Sequence, residues 1–220
     1  MSTAEVTAAD AHDDHHTGVP EDEHFGHASG GKIAMWMFIA QDGMSFGGLL
    51  LAYAILRVFS TDWPEPSQIL GIGLTAFATF VLICSSVSMV MAVEAAKERK
   101  QSSLMLWLWL TIAGGATFLG IQYYEYSHLL HQGIGLAETT YEIDGAQVNR
   151  LFGTTFYAVT GFHGLHVLSG VIYLLCIAKK AGTGAYTKGG ISYSPVELVG
   201  LFWHFVDLVW ILVFTFIYLL

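Results

Sequence analysis

Residues 152–173, FGTTFYAVTGFHGLHVLSGVIY, make an apolar run of helix length with two histidines, His163 and His166, near its middle. Hydrocarbon does not tolerate an imidazole without partners, so the rest of the chain has to supply them. The reading therefore depends on whether this run lies in a membrane and on which residues can meet the two rings.

Composition answers the first question. The 220 residues are 54% hydrophobic and 12% charged, with a mean hydropathy of +0.53, whereas soluble domains carry about 25% charged residues. Five long apolar runs cover Lys32 to Phe59, Ile69 to Ala95, Leu104 to Leu130, Phe152 to Ala178 and Val196 to Leu220. Each is near or above the roughly 20 residues that cross a ~30 Å hydrocarbon core. Backbone groups cannot bond water there, so each run is expected to be a helix. The fold class is all-α, a polytopic bundle of five transmembrane helices spanning 32–220 behind an N-terminal tail.

The tail, residues 1–31, is acidic and holds His12, His15, His16, His24 and His27 without apolar periodicity. It reads as disordered. It has neither the basic n-region nor the apolar h-region of a cleavable signal peptide. The formal charge of −9 comes largely from this tail and from the acidic 131–151 loop, so it says little about the membrane body. Placing the N-terminus in the cytoplasm puts Lys32, Lys97, Arg99, Lys100, Lys179, Lys180 and Lys188 inside and only Arg57 and Arg150 outside. That bias follows the positive-inside rule and leaves the C-terminus on the periplasmic or external side. Cys84 and Cys176 lie far apart inside apolar runs and read as small buried side chains. No P-loop, dinucleotide-binding glycine pattern or nucleophile elbow is present, and so apolar a chain does not suit nucleic acid.

The polar residues inside the runs carry what function the sequence reveals. Asp42 lies in the N-terminal half of the first helix, beside a Gly43/Gly47 step that lets another helix approach. A carboxylate at that depth either handles protons or contacts lipid, or else makes an interhelical hydrogen bond. Ser85, Ser86 and Ser88 of the second helix can bond their own backbone. Gln122, Glu125 and His128 follow at intervals of three on the third helix, and Thr160, His163 and His166 on the fourth. On the fifth, Glu197, His204 and Asp207 fall within a sector of about 80°. Two readings stay open for these groups, a buried polar network between helices and a metal or haem site. A site built on metal needs more ligands than one helix offers.

The motifs GTTFYAVTGFHGLHVLSGVIY and VELVGLFWHFVDLVWILVFTFIYL, with GATFLGIQYYEY at 115–126, LICSSVSMVMAVEA at 82–95 and WMFIAQDGMSF at 36–46, closely resemble subunit III of haem-copper terminal oxidases. The resemblance spans the membrane portion and implies a five-helix form, with two further N-terminal helices in longer relatives. It implies a non-catalytic subunit of a bacterial inner-membrane, proton-pumping cytochrome c oxidase, working in aerobic respiration. A quinol oxidase subunit is the alternative. The chain itself would then bind no haem, copper or other metal, those cofactors residing in subunits I and II. Its partners would be subunits I and II, phospholipid, and cytochrome c or quinol as donor to the complex.

On the same grounds Asp42 stands where the family often has an intramembrane glutamate, and it becomes the residue tied to proton uptake or lipid. Gln122, Glu125, His163, His166, His204 and Asp207 become an interhelical polar network, with Glu125, His204 and Asp207 as the expected partners of the two histidines. No residue is expected to be catalytic. A standalone metal or ion transporter using the His-rich tail is a competing reading, opposed by the lack of an inverted repeat.

Overall fold

A computed structural model describes residues 30–60, 63–136, 142–143, 146–147, 149–187 and 192–220. The tail expected over 1–31 lies, up to residue 29, outside the described residues, as does Lys188 of the charge count. Among the described residues, five helices are long and apolar enough to cross a membrane. They are α1 (Gly30–Phe59), α3 (Ile72–Lys97), α4 (Gln101–His131), α5 (Arg150–Gly182) and α6 (Ser194–Val213), the last continued by a π-helical turn, Phe214–Leu219. All-α architecture follows from the medium, because a helix satisfies its backbone internally. At 1.5 Å per residue, the 33 residues of α5 span about 50 Å, so its ends pass beyond the hydrocarbon.

The expected boundaries fall inside the observed helices at most ends, because polar turns extend a helix without adding to an apolar run. The proline-rich link after α1 contains a single turn, α2 (Pro66–Ile69), with Pro66 at its start. Proline there loses no helical bond, since the first amides of a helix have no partner anyway. Between α4 and α5, Glu142–Ile143 (β1) and Ala146–Gln147 (β2) pair antiparallel. Asn149 caps α5, its side chain accepting from the Leu151 amide at 2.9 Å. At the α3–α4 corner Lys100 lies 2.8 Å from Glu98, and that carboxylate holds its ammonium above the usual lysine range.

The helix order in space is set by α6, which packs on α1, α3 and α5, while α3 and α4 form an extensive antiparallel hairpin. Trp203 of α6 is fully buried between two glycines. A Cβ at Gly115 of α4 would stand 2.5 Å from its ring, and one at Gly170 of α5 would stand 2.9 Å away. Small residues thus let three helices close on one indole. Trp203 donates to Ser85 Oγ at 3.1 Å and Trp210 to Thr79 Oγ1 at 2.8 Å, so both tryptophans meet helices of this chain.

The cysteines depart from the expected burial: Cys84 and Cys176 are exposed. A thiol is a small, nearly apolar group, and on a membrane helix the outward surface meets lipid rather than water. Apolar surroundings therefore do not imply the interior.

Candidate functional site

Three polar clusters lie within the spans. The first joins α1 and α5. Asp42 is buried, and its Oδ2 lies 3.1 Å from His166 Nε2. That is an ion-pair separation, although the N–H direction falls outside hydrogen-bond geometry and Oδ2 has no hydrogen bond among the described residues. The other ring nitrogen, Nδ1, lies 2.8 Å from the Phe162 carbonyl, which can only accept, so Nδ1 carries a hydrogen. Phe46 and Phe162 flank the imidazole, with ring centroids at 5.2 Å and 4.6 Å. Ring orientation is thereby fixed from three sides, and Nε2 is left facing the carboxylate.

The second cluster ties α3, α4 and the C-terminal π-turn. Glu125 accepts from Tyr218 Oη at 2.7 Å and from Thr75 Oγ1 at 3.0 Å. Beside it Gln122 donates from Nε2 to the Thr160 carbonyl at 2.8 Å and to Tyr126 Oη at 3.1 Å. Thr160 gives its hydroxyl hydrogen to the Phe156 carbonyl at 2.6 Å, so the Tyr126 hydroxyl, 2.7 Å away, is the donor to Thr160. π-helical turns occur where an inserted residue re-aims a side chain. Here Tyr218 is the π-turn side chain that meets Glu125.

The third cluster lies between α3 and α6. His204 Nδ1 is 2.6 Å from Ser86 Oγ. Asp207, one turn further along α6, is buried, and neither of its oxygens has a hydrogen bond among the described residues. At the start of α6, Glu197 pairs with Lys32 of α1 at 3.0 Å.

The residues singled out from sequence therefore distribute over three places. His166 meets Asp42, rather than Glu125, His204 or Asp207. His163 is fully buried, and among the described residues neither ring nitrogen has a hydrogen bond. It packs against Trp210 at 4.8 Å and Phe118 at 5.7 Å. Helical geometry accounts for the separation of the two histidines. A step of three residues turns 300°, so positions spaced by three drift about 60° per step. His163 stays on the inward face with Thr160, whereas His166 has rotated toward α1. The same drift takes His128 off the face of Gln122 and Glu125 to an exposed position. Thr75, Tyr218 and Ser86 complete the clusters and were not read as their members. Hydroxyls in apolar runs are common, and nothing in the sequence pairs them across helices. Among the described residues no three His, Cys, Asp or Glu side chains gather as a metal would require.

A five-span helical bundle with carboxylates and imidazoles held between its helices defines a polytopic membrane protein whose polar chemistry is internal to the bilayer. Residues 21–220 match the family model described as Cytochrome c oxidase subunit III. The chain is 32% identical over 205 residues, 93% of this chain and 94% of the relative, to cytochrome c oxidase subunit 3 of Thermostichus vulcanus. It is 35% identical over 199 residues to the Synechocystis cytochrome c oxidase subunit 3, covering 90% and 78% of the two chains. It is also 30% identical over 224 residues, 100% and 99% of the two chains, to the cytochrome bo(3) ubiquinol oxidase subunit 3 of Pseudomonas aeruginosa. The chain belongs to the cytochrome c oxidase subunit III family, and is thus a multi-pass bacterial inner-membrane protein and a subunit III of a haem-copper oxidase.

Proposed function

We propose that this chain is the non-catalytic subunit III of a proton-pumping cytochrome c oxidase, packed beside subunit I, where Asp42 helps hold proton uptake fast. The observation that carries the reading is the Asp42–His166 pair, 3.1 Å apart in the half of α1 nearest its start. In hydrocarbon a carboxylate persists beside a titratable base at that distance only if the pair can share a proton or a charge. With the N-terminus in the cytoplasm, as the Lys and Arg distribution supports, the pair faces the compartment from which protons are taken up. Haem and copper would lie in subunits I and II, and phospholipid would fill the outer grooves of the bundle.

In the purified complex, Asp42→Asn should slow proton uptake during turnover while leaving the haem absorption spectrum unchanged. Unaltered turnover and pumping in that variant would discard the role.

A quinol oxidase subunit is the second reading, favoured by the ubiquinol oxidase relative that this chain matches along its whole length. Supplying the purified complex with reduced cytochrome c or with a quinol separates the two, because only the true donor sustains oxygen consumption.

A further inference from the structure

The cluster least explained by a supporting role is Ser86, His204 and Asp207. A pocket of about 190 Å³ opens between the end of α3 and the start of α6. Its walls are Val90, Val93, Gly200 and Leu201, its rim carries Glu94, Lys97 and Glu197, and His204 also lines it. Liquid water occupies about 30 Å³ per molecule, so several waters fit. The pocket opens on the side where α1 begins, because Lys32 pairs with Glu197 at its rim.

Beyond His204 the path becomes polar and narrow. Nδ1 is held 2.6 Å from Ser86 Oγ, which leaves Nε2 without a hydrogen bond among the described residues. Ser86 also lies beside the Asp207 carboxyl, without a hydrogen bond to it. Asp207 has two buried oxygens without a hydrogen bond and no Lys, Arg or His in ion-pair contact among the described residues. A bare carboxylate in that position is the costly state in hydrocarbon. The charged groups around the path are Lys32 of α1, Glu94 and Lys97 of α3 and Glu197 of α6. They are arranged as two pairs of opposite sign, at 3.0 Å for Lys32–Glu197 and 4.0 Å for Lys97–Glu94. Neither pair offers Asp207 a counter-ion.

We infer that this pocket is a water-filled inlet and that Asp207 is a proton-binding site loaded through His204 and Ser86. A hydronium ion reaching the pocket through its waters gives a proton to His204 Nε2 and is left as water. The Nδ1 proton then passes to Ser86 Oγ as the serine hydroxyl, turning to meet the carboxylate, gives its own hydrogen to an Asp207 oxygen. The sequence leaves a neutral imidazole in its other tautomer, an intact serine and a neutral carboxylic acid, so charge enters the bilayer only as far as the protonated relay. The path is separate from the Asp42–His166 pair, which lies between α1 and α5. It rests on the functional reading only for the compartment that supplies the proton.

Two measurements on the assembled oxidase test it. The first is thiol labelling in a Cys84→Ser, Cys176→Ser background. Leu201→Cys in the pocket should react with a membrane-impermeant cationic methanethiosulfonate, while Leu208→Cys, two turns further along α6 and exposed on its outer surface, should not. Failure of Leu201→Cys to react, or equal reaction at both positions, overturns the inlet. Reaction from the external side of sealed vesicles overturns the assigned orientation and leaves the inlet standing. The second is infrared spectroscopy of the carboxylic C=O stretch that Asp207→Asn removes. In heavy water this band should shift quickly in the wild type, and about tenfold or more slowly in His204→Phe. Equal exchange in His204→Phe, or no band lost in Asp207→Asn, overturns the relay.

Discussion

Asp42 and Glu125 are both carboxylates buried between membrane helices, and their surroundings assign them different work. Glu125 is met by two hydroxyls, from Thr75 and Tyr218, with no base in contact among the described residues. Asp42 is met by an imidazole whose other nitrogen is already committed to a backbone carbonyl. Hydroxyl partners do not titrate in the physiological range, so the Glu125 cluster acts as a brace between α3, α4 and the C-terminal π-turn. An imidazole is a base that can accept a proton, so the Asp42 pair can share one. For these two acids, partner chemistry more than depth in the membrane separates the brace from the pair that can share a proton.

The largest effect should come from breaking the brace. Glu125→Ala strands the buried Tyr218 hydroxyl and leaves Thr75 only its own-helix bond to the Gly71 carbonyl at 3.2 Å, and should cost about 2–3 kcal/mol of bundle stability, read by denaturant titration of the purified complex. Glu125→Gln keeps an acceptor and should recover most of that loss. If the two variants are equally damaged, Glu125 matters as a charge and the contrast with Asp42 collapses.

Gly115→Ala should come next. Its methyl would press on Trp203 at 2.5 Å and on Val171 at 2.8 Å, an overpacking worth about 1–3 kcal/mol. Because it pushes α6 from α4, it should weaken retention of the C-terminal turn on Glu125 while sparing the α1–α5 pair. Hydrogen exchange resolved by segment would show whether the two regions separate in this way.

A smaller effect is expected from the pair itself. A double-mutant cycle of Asp42→Asn and His166→Gln should give a coupling of about 0.5–1 kcal/mol. A coupling within error of zero would remove the pairing that sets Asp42 apart from Glu125. Smallest of all, Cys84→Ser and Cys176→Ser should each change stability by less than about 0.5 kcal/mol, because both thiols face outward.

The five spans were legible because hydrocarbon imposes a length and forbids unpaired backbone, and both demands leave long apolar runs in the sequence. Candidate polar residues were legible too, since any charge or imidazole stands out against such runs. The pairing was not. The sequence suggested Glu125, His204 and Asp207 for the histidines, whereas His166 turned to Asp42 and His163 packed into aromatic rings. A 60° drift per three residues decides which neighbour a side chain meets, and only the placed helices fix what stands at that angle. Hydroxyls such as Thr75, Ser86 and Tyr218 were invisible as partners for the same reason.

What the sequence determined by itself was the solvent, the helix count and the family, because each is written in local composition or in ordered motifs. Tertiary structure alone decided which acid meets a base, which meets hydroxyls and which meets neither. Those outcomes depend on atom-to-atom contacts of about 3 Å between helices, set by glycines and by the rotation of each helix about its axis.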